Sequence, residues 1–161
     1  MTDPVSFRVI GTIRTPYRDI EGMPIQPAGA VGIPGRIELD DALTDGLADL
    51  DAFSHLILIY HLHLTADTRL TVVPFLDDQP HGVFATRAPV RPNPIGISVV
   101  RLVAIEGSTL DVLDVDMVDG TPLLDIKPYV PAFDAPDAGR IGWYAGRLEA
   151  LERARADDRF R

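Results

Sequence analysis

Hydrophobic and polar residues alternate over several short stretches of the chain, which is the pattern of a strand with one buried face. The alternation is regular near the amino terminus, where Ser6 and Arg8 separate the apolar residues Val5, Phe7 and Val9. The pattern, together with clusters of turn residues between the stretches, predicts strands at residues 5–14, 36–39, 55–64, 82–86, 97–105, 109–116 and 139–149.

Helical spacing is confined to one stretch. Leu43, Leu47 and Leu50 recur at the period of a helix, and Asp41 stands where an N-cap residue would begin it. Residues 18–34 are rich in proline and glycine and predict a long loop, which in a compact domain usually carries function.

These elements predict a mainly β fold: a single antiparallel β-barrel with one or two short helices and long functional loops. The predicted strands are not separated by regular helices, which disfavours a parallel α/β sheet. We assign residues 1–149 to the barrel domain and residues 150–161 to a short charged tail that is helical or frayed.

The composition excludes several classes of protein. Glycine (13) and proline (14) are together more frequent than average among the 161 residues, which argues against a helical bundle. The net charge of −9 excludes binding of nucleic acid through the overall electrostatic field, so a nucleic-acid partner requires a local basic site. The absence of cysteine excludes a disulfide, a thiolate metal site and a cysteine nucleophile.

The sequence also predicts a protein of the cytoplasm that does not enter a membrane. A spanning helix needs about 20 apolar residues in succession. The longest apolar run, residues 56–60, is much shorter. The amino terminus shows no basic segment followed by an apolar one, as a secretory signal would.

The segment of residues 82–98 is the first candidate for chemistry. Between Gly82 and Arg101 the acidic chain carries three arginines and no acid, and three prolines stiffen the segment. Guanidinium groups presented in this way suit carboxylates and phosphates. The alternative is a proline-rich connection whose arginines merely cover an acidic surface.

The segment of residues 114–131 is the second candidate. It contains four aspartates, a lysine and a tyrosine beside apolar residues, around the turn sequence of residues 119–122. Carboxylates here suit ribose hydroxyls or an adenine amine, and Tyr129 suits ring stacking or proton transfer. The alternative is a simple turn between two strands.

Histidines form the third candidate. His61 and His63 share one face of a predicted strand at a spacing that can chelate a metal, with Asp67 or His81 as the third ligand. Histidines on a half-buried strand more often form hydrogen bonds or line a pocket, and we predict no metal. The chain shows neither a glycine-rich phosphate fingerprint nor a serine nucleophile elbow.

Together these segments resemble the TrmO family of S-adenosylmethionine-dependent tRNA methyltransferases. The resemblance covers residues 7–134, and its two longest blocks, taken in this order, are highly specific. The matching pieces are residues 10–17, residues 24–27, residues 53–55 with His63, residues 82–98 and residues 116–131.

The resemblance implies a small β-barrel that works as a homodimer and uses S-adenosylmethionine. Members of the family methylate the exocyclic nitrogen of threonylcarbamoyladenosine, which lies next to the anticodon of tRNA. The cofactor contacts carried over from the family fall on Gln26, Pro27, Ala28, His63, Leu64, Arg87, Ile97, Leu113, Asp114, Val115 and Asp116.

Roles within this set follow from chemistry. Arg87 suits the methionine carboxylate, Asp116 suits the ribose hydroxyls, and the backbones of Ile97 and Val115 suit adenine. The predicted catalytic residues are Asp125 and Tyr129, and the residues predicted to hold a phosphate or the threonyl carboxylate of the substrate are Arg91, Asn93 and Lys127.

The chain departs from the family pattern in two ways. Ala88 stands where a small hydroxyl residue is expected, and about a dozen residues follow the barrel where longer members carry a further domain. Three alternatives stay open: the same cofactor with a small-molecule acceptor, a non-enzymatic S-adenosylmethionine-binding module, and a metal-dependent enzyme built on His61 and His63.

Overall fold

The computed structural model describes residues 2–160 and shows a closed barrel of six antiparallel strands. The strand order around the barrel is β1-β2-β7-β6-β3-β8, and β4 pairs with β5 in a separate two-stranded sheet. This confirms the predicted mainly β barrel. The strands in the described chain are β1 (Gly11–Arg14), β2 (Pro34–Leu39), β3 (His55–His61), β4 (Thr71–Val72), β5 (His81–Gly82), β6 (Ile95–Glu106), β7 (Thr109–Leu113) and β8 (Thr121–Pro128).

Aliphatic side chains from all six barrel strands fill the interior. They alternate with outward-facing polar residues, which is why the period-two pattern could be recognised in the sequence. Burying one such side chain stabilises the fold by roughly 1.5–3 kcal/mol. The most buried of them are Ile13, Ile37, Leu56, Leu58, Val100, Leu110, Val112 and Leu123.

The amino-terminal strand is shorter than the alternation predicts. Val5, Phe7 and Val9 are 78%, 71% and 51% exposed, and β1 begins only at Gly11. The ladder starts there because β2 ends at Leu39, directly opposite Gly11, so the preceding residues have no partner strand on that side.

Two other stretches predicted as strands contain 3-10 helix instead. In the stretch of residues 82–86, β5 ends at Gly82 and a 3-10 helix covers Val83–Ala85. Residues 139–149 form no strand in the described chain and contain the 3-10 helix Gly142–Tyr144. The long strand predicted at residues 55–64 forms as β3 and ends earlier than predicted, at His61.

The helix predicted from Leu43, Leu47 and Leu50 is replaced by two 3-10 helices, Asp41–Leu47 and Leu50–Ala52. Its cap is Asp40 rather than Asp41, because the Asp40 carboxylate accepts a hydrogen bond from the amide of Ala42 at 3.0 Å. The one short α-helix in the described residues, α1, covers Pro131–Asp134.

The carboxy-terminal segment, residues 141–160, packs against the loops beside the barrel, and beyond the 3-10 helix Leu148–Ala150 it is neither helical nor frayed. Its residue Arg155 forms a β-bridge with Pro24, and Ala156 and Phe160 are buried. The Phe160 ring meets Phe75 edge to face, with their centroids 5.0 Å apart. The division at residue 150 stays a prediction, and its outer limits, residues 1 and 161, lie outside the described residues.

None of the helices in residues 2–160 has the length and apolar character that a membrane crossing requires.

Candidate functional site

A cavity of about 720 Å³ lies beside one end of the barrel. Its walls come from the loop before β2, the end of β3, the proline-rich loop before β6, the segment after β7 and the carboxy-terminal segment. The closed barrel supplies a rigid floor, and the loops supply most of the polar groups. Of the residues predicted to bind the cofactor or the substrate, those lining the cavity are Gln26, His63, Leu64, Arg87, Arg91, Ile97 and Asp116.

Arg87 links two of the cavity walls. Its Nη1 atom donates a hydrogen bond to Oε1 of Gln26 at 3.0 Å, although 61 positions separate the two residues in the chain. The pair joins the proline-rich loop to the first long loop, so two segments predicted separately from the sequence meet at this point. The remaining guanidinium donors of Arg87 stay available to a ligand.

Arg91 holds its own loop in shape. Its Nη1 atom donates to the carbonyl oxygens of Thr86, at 2.9 Å, and of Ala88, at 3.2 Å. The buried Thr86 hydroxyl in turn accepts from the Ala88 amide at 3.2 Å and donates to the Val83 carbonyl at 2.8 Å. The loop therefore has a hydrogen-bonded hydroxyl although position 88 is an alanine, because Thr86 provides it.

A chain of three polar side chains crosses the cavity floor. The Tyr60 hydroxyl and the Ser98 hydroxyl lie 2.7 Å apart, and Ser98 donates to Oδ1 of Asp116 at 2.6 Å. The register of β3 and β6 places Tyr60 opposite Gly96, and a Cβ atom at position 96 would lie 2.2 Å from the Tyr60 ring. Glycine at this position is what allows the ring to reach Ser98.

Burial raises the pKa of the two outer members of this hydrogen-bonded series, Tyr60 and Asp116. Desolvation raises the pKa of Asp116 from 3.8 to about 6, against the hydrogen bond from Ser98 and the positive charge of Arg87, which lower it. Desolvation also raises the pKa of Tyr60, so its phenol stays protonated. The result is a buried carboxylate that is mostly ionised at neutral pH and is close to its own titration range.

His63 presents a buried ring nitrogen to the cavity without a partner. Its Nδ1 atom has no hydrogen bond in the described structure, which is unusual for a buried polar atom. Desolvation lowers the pKa of His63, and the neighbouring His61 lowers it further, so the ring is neutral at physiological pH. A hydrogen bond with the His61 backbone opposes this lowering, and the neutral ring forms part of the cavity lining.

The predicted third metal ligands are engaged elsewhere. Asp67 pairs with Arg69 at 3.4 Å, and Nε2 of His81 lies 2.6 Å from Oδ2 of Asp77. In the part of the chain that the structure describes, no group of three or more His, Cys, Asp or Glu side chains is placed to hold a metal ion.

The three residues before Asp116 serve the barrel. Asp114 has a positive φ of 75°, and its carboxylate accepts two hydrogen bonds from Arg101, at 2.6 and 2.9 Å, and one from the Gly32 amide at 2.7 Å. The Arg101 hydrogen bonds hold the pKa of Asp114 below its usual range. Val115 is fully buried, and Leu113 pairs with Arg101 in the sheet. None of the three is in the cavity lining as described, and their assignment as cofactor contacts stays a prediction.

Two other predicted residues flank the cavity without lining it. Pro27 and Ala28 belong to the 3-10 helix Pro27–Gly29, which follows Gln26 directly. Their assignment as cofactor contacts, which the resemblance to the family implies, stays a prediction.

Four predicted residues do not line the cavity. They are the catalytic pair, Asp125 and Tyr129, and the substrate contacts Asn93 and Lys127. Asp125 on β8 forms an ion pair with Lys127 at 2.8 Å, on an exposed surface. Tyr129 follows β8, and its ring lies 6.0 Å from that of His55. Asn93 accepts a hydrogen bond from the Ile95 amide through its backbone carbonyl. The roles assigned to these four residues stay predictions.

Sequence reasoning missed an aromatic wall of the cavity. Trp143 and Tyr144 line it from the carboxy-terminal segment, which the sequence analysis treated as a strand on the way to the tail. The two rings stack with centroids 4.0 Å apart. The signal available in the sequence was that Trp143 is the sole tryptophan of the chain and is followed directly by a tyrosine.

A small closed β-barrel with an arginine-bearing cavity at one end defines the class of this protein, and comparison with known proteins defines its family. The model of the tRNA-methyltransferase O N-terminal domain matches residues 12–135. The chain belongs to this family, and the resemblance to the TrmO family is confirmed.

Relatives match over most of the chain. A probable S-adenosyl-L-methionine-binding protein of Pyrococcus abyssi is 51% identical over 156 residues, which cover 97% of this chain and 85% of the relative. The tRNA (adenine(37)-N6)-methyltransferase of Escherichia coli K12 is 39% identical over 159 residues, which cover 92% of this chain and 67% of the relative.

A solved structure agrees with the family that these two relatives indicate. TrmO from Pseudomonas aeruginosa superposes with a TM-score of 0.73 at 39% identity, covering 89% of this chain and 63% of that chain. This chain thus spans slightly less than two thirds of the solved TrmO chain.

Proposed function

We propose that this protein transfers the methyl group of S-adenosylmethionine to the exocyclic nitrogen of threonylcarbamoyladenosine next to the anticodon of tRNA. The observation that carries the proposal is the meeting of Gln26, His63, Arg87 and Asp116 in one cavity of a TrmO-family barrel. At the coarser level the protein is an S-adenosylmethionine-dependent methyltransferase, in agreement with the names of its relatives.

The cavity residues fit the cofactor chemically. The free donors of Arg87 match a carboxylate, and the second oxygen of Asp116 matches a ribose hydroxyl. His63 lines the same cavity, and its buried Nδ1 atom has no hydrogen-bond partner in the described chain. An ionised Asp116 also compensates a positively charged ligand in a buried place, so the donor set suits a zwitterion that carries an additional cation.

S-adenosylmethionine, when bound, supplies a methyl group that is activated by a sulfonium. Transfer to nitrogen is a displacement, so the protein contributes mainly alignment of the reactants and exclusion of water. Arg87 and Gln26 fix one end of the cavity, the chain from Tyr60 to Asp116 fixes the floor, and Trp143 shields one side from solvent.

Deprotonation of the acceptor needs only a weak base. The acceptor nitrogen lies between a purine and a carbamoyl group, which makes its proton moderately acidic. Asp125 and Tyr129 remain the proposed residues for this step. In the described chain Asp125 is paired with Lys127, so reaching the acceptor requires this ion pair to open.

Methyl transfer to tRNA is the direct test. Purified protein is incubated with labelled S-adenosylmethionine and total tRNA from cells that are able, or unable, to make threonylcarbamoyladenosine. Label that enters only the modified tRNA supports the proposal. Tight cofactor binding with no label in either tRNA contradicts the proposed acceptor and leaves the cofactor site intact.

A small-molecule acceptor is the second candidate, and the net charge of −9 favours it because an acidic protein repels a polyanion. A third candidate is a module that binds the cofactor without transferring its methyl group. Stoichiometric binding of the cofactor with no transfer to any adenosine-containing compound would support that third candidate.

We also propose that the protein is a homodimer that acts in the cytoplasm, where tRNA is found. The exposed apolar residues Val5, Phe7 and Val9 support self-association, because a row of such side chains is unfavourable in water. Light scattering coupled to size exclusion measures the mass directly, and a monomer at micromolar concentration would contradict the dimer.

A further inference from the structure

Three aromatic rings form a stacked column beside the cavity. The Trp143 ring is nearly parallel to that of His81, at an interplanar angle of 17° and a centroid distance of 4.8 Å. It is also nearly parallel to that of Tyr144, at 24° and 4.0 Å. Stacked rings of this kind extend readily by one more flat ring, because every further base offers a π face.

The column is held at several points. Trp143 Nε1 donates to the Ala85 carbonyl at 2.7 Å, which ties the column to the proline-rich loop. Asp77 lies 2.6 Å from His81 Nε2 and 3.4 Å from Arg147 Nη2. The hydrogen bond from His81 lowers the pKa of Asp77 to about 2, so this carboxylate stays ionised. A column fixed in this way loses little conformational entropy when a ligand binds.

Tyr144 brings the column to the cavity that Arg87 and Arg91 also line. Burial raises the pKa of its hydroxyl, and the positive charges of Arg87 and Arg91 oppose that rise, so both guanidinium groups lie within electrostatic reach. The hydroxyl makes no hydrogen bond with any residue in the described chain. An aromatic face next to two cations is suited to a base that carries a negatively charged group.

The location of the column favours the acceptor over the cofactor as its ligand. The family model ends at residue 135, and the predicted cofactor residues of the cavity all lie before that point. Trp143 and Tyr144 lie after it. The cofactor contacts are expected within the part of the chain that the family model covers, because that part defines the family, whereas matches to single relatives extend beyond it and reach 97% of this chain.

We propose that Tyr144, backed by Trp143 and His81, is the surface on which the purine of the acceptor nucleotide stacks, with Arg91 next to its anionic substituent. This inference rests on the proposed function and adds the residues that recognise the acceptor.

Trp143 is the sole tryptophan of the protein, so tryptophan fluorescence reports directly on the stacked column. The protein is saturated with S-adenosylhomocysteine, which cannot donate a methyl group, and titrated with a synthetic anticodon stem-loop carrying threonylcarbamoyladenosine. We expect the RNA to quench the Trp143 fluorescence, and S-adenosylhomocysteine alone to leave it nearly unchanged. A full response to S-adenosylhomocysteine, with no further change on adding RNA, assigns the column to the cofactor and overturns the proposal.

Variants separate stacking from folding. Tyr144→Ala is expected to raise the KM for the stem-loop by roughly 5- to 150-fold, the range for loss of one base–aromatic stack. The Kd of S-adenosylmethionine measured by calorimetry stays within twofold. Tyr144→Phe keeps the ring and stays close to the wild-type KM. Loss of cofactor affinity with an unchanged KM would contradict the proposal.

Phe133→Ala is the matched control, because Phe133 is an aromatic residue that is 80% exposed and does not line the described cavity. Its KM and melting temperature should equal those of the wild type. If the wild type methylates no tRNA, the proposed function fails, and the titration still decides the further inference. Quenching by RNA that is lost in Tyr144→Ala supports it, and no quenching by RNA overturns it.

Discussion

At the scale of single residues, aspartates of this chain differ in acidity according to their surroundings. Asp116 is buried beside a neutral serine, and desolvation raises its pKa to about 6. Asp77 and Asp114 receive hydrogen bonds from His81 and Arg101, which lower their pKa values. The sequence lists three identical side chains, and only the fold distinguishes the one that faces the cavity.

Asp116→Asn tests the cost of this buried charge. The folded protein holds the Asp116 proton more tightly than the unfolded chain does, because the folded pKa is about 6 against 3.8. Its contribution to stability is therefore full below pH 3.8 and is lost as the pH rises through about 6. At pH 8 we expect the variant to be more stable than the wild type by on the order of 2–3 kcal/mol.

Melting curves between pH 4 and pH 8 measure this effect, since all other groups cancel in the difference between the two proteins. The gain in melting temperature should shrink toward zero near pH 4, while cofactor binding weakens at every pH. A difference that does not depend on pH would show that folding does not raise the pKa of Asp116.

Arg87→Ala tests the predicted contact with the cofactor carboxylate. Loss of a hydrogen bond to a charged group costs about 1.5–3 kcal/mol, so we expect the Kd for S-adenosylmethionine to rise by roughly 10- to 150-fold. Calorimetry gives the Kd directly. Arg36→Ala is the control, because Arg36 pairs with Asp111 on an exposed part of the barrel. Equal affinities in both variants would place the carboxylate elsewhere.

At the scale of elements, the sequence predicted five of the six barrel strands and missed β8, which contains two prolines. β8 carries Pro122 and Pro128, which interrupt the pattern, yet both positions are paired, with Thr12 and Leu56. Proline is usually confined to edge strands or strand ends, so the interpretation of this segment as a turn and a chemical site was reasonable.

The site was predictable only in part for a similar reason. Arg87 and Asp116 were recognisable from motifs, whereas the Tyr60–Ser98 pair depends on the register of β3 against β6, which the sequence does not reveal. The aromatic wall was missed because Trp143 acquires its role from a contact with Ala85, 58 positions earlier in the chain.

Gly96→Ala tests the close approach of β6 and Tyr60. The new methyl group would lie 2.2 Å from the Tyr60 ring and would force it away from Ser98. We expect a loss of about 1–3 kcal/mol in the free energy of unfolding, as for other overpacked cores. Urea denaturation measures it. Gly46→Ala, where nothing lies within 4 Å of the added atom, should change stability little.

At the scale of the whole molecule, the acidic charge restricts how RNA is bound. A net charge of −9 gives no long-range attraction, so affinity has to come from the cavity and its stacking surface. The structure supplies Arg87 and Arg91 there, beside Tyr144. This arrangement agrees with recognition of one exposed loop nucleotide rather than of a long stretch of backbone.

The salt dependence of RNA binding checks this. Each phosphate contact to a single strand contributes a slope of about −0.7 to log K against log salt concentration. Because the proposal assigns Arg87 to the cofactor and Arg91 to the acceptor base, we expect few phosphate contacts and a slope no steeper than about −1.4. Fluorescence titration of the stem-loop between 50 and 200 mM KCl measures the slope. A value steeper than about −4 would show that a broad basic surface, contributed by more than this cavity, binds the RNA.

The closure of the barrel has a consequence for how such a protein changes over evolution. Each of the six barrel strands has a partner on both sides, and the separate β4–β5 pair is only two residues long, so the described chain offers little open edge for intermolecular strand pairing. Loops and the carboxy-terminal segment can therefore vary without creating a template for aggregation. New acceptors become accessible through changes around Tyr144, while the ring of strands keeps in place the strand ends from which the loops with the predicted cofactor residues start.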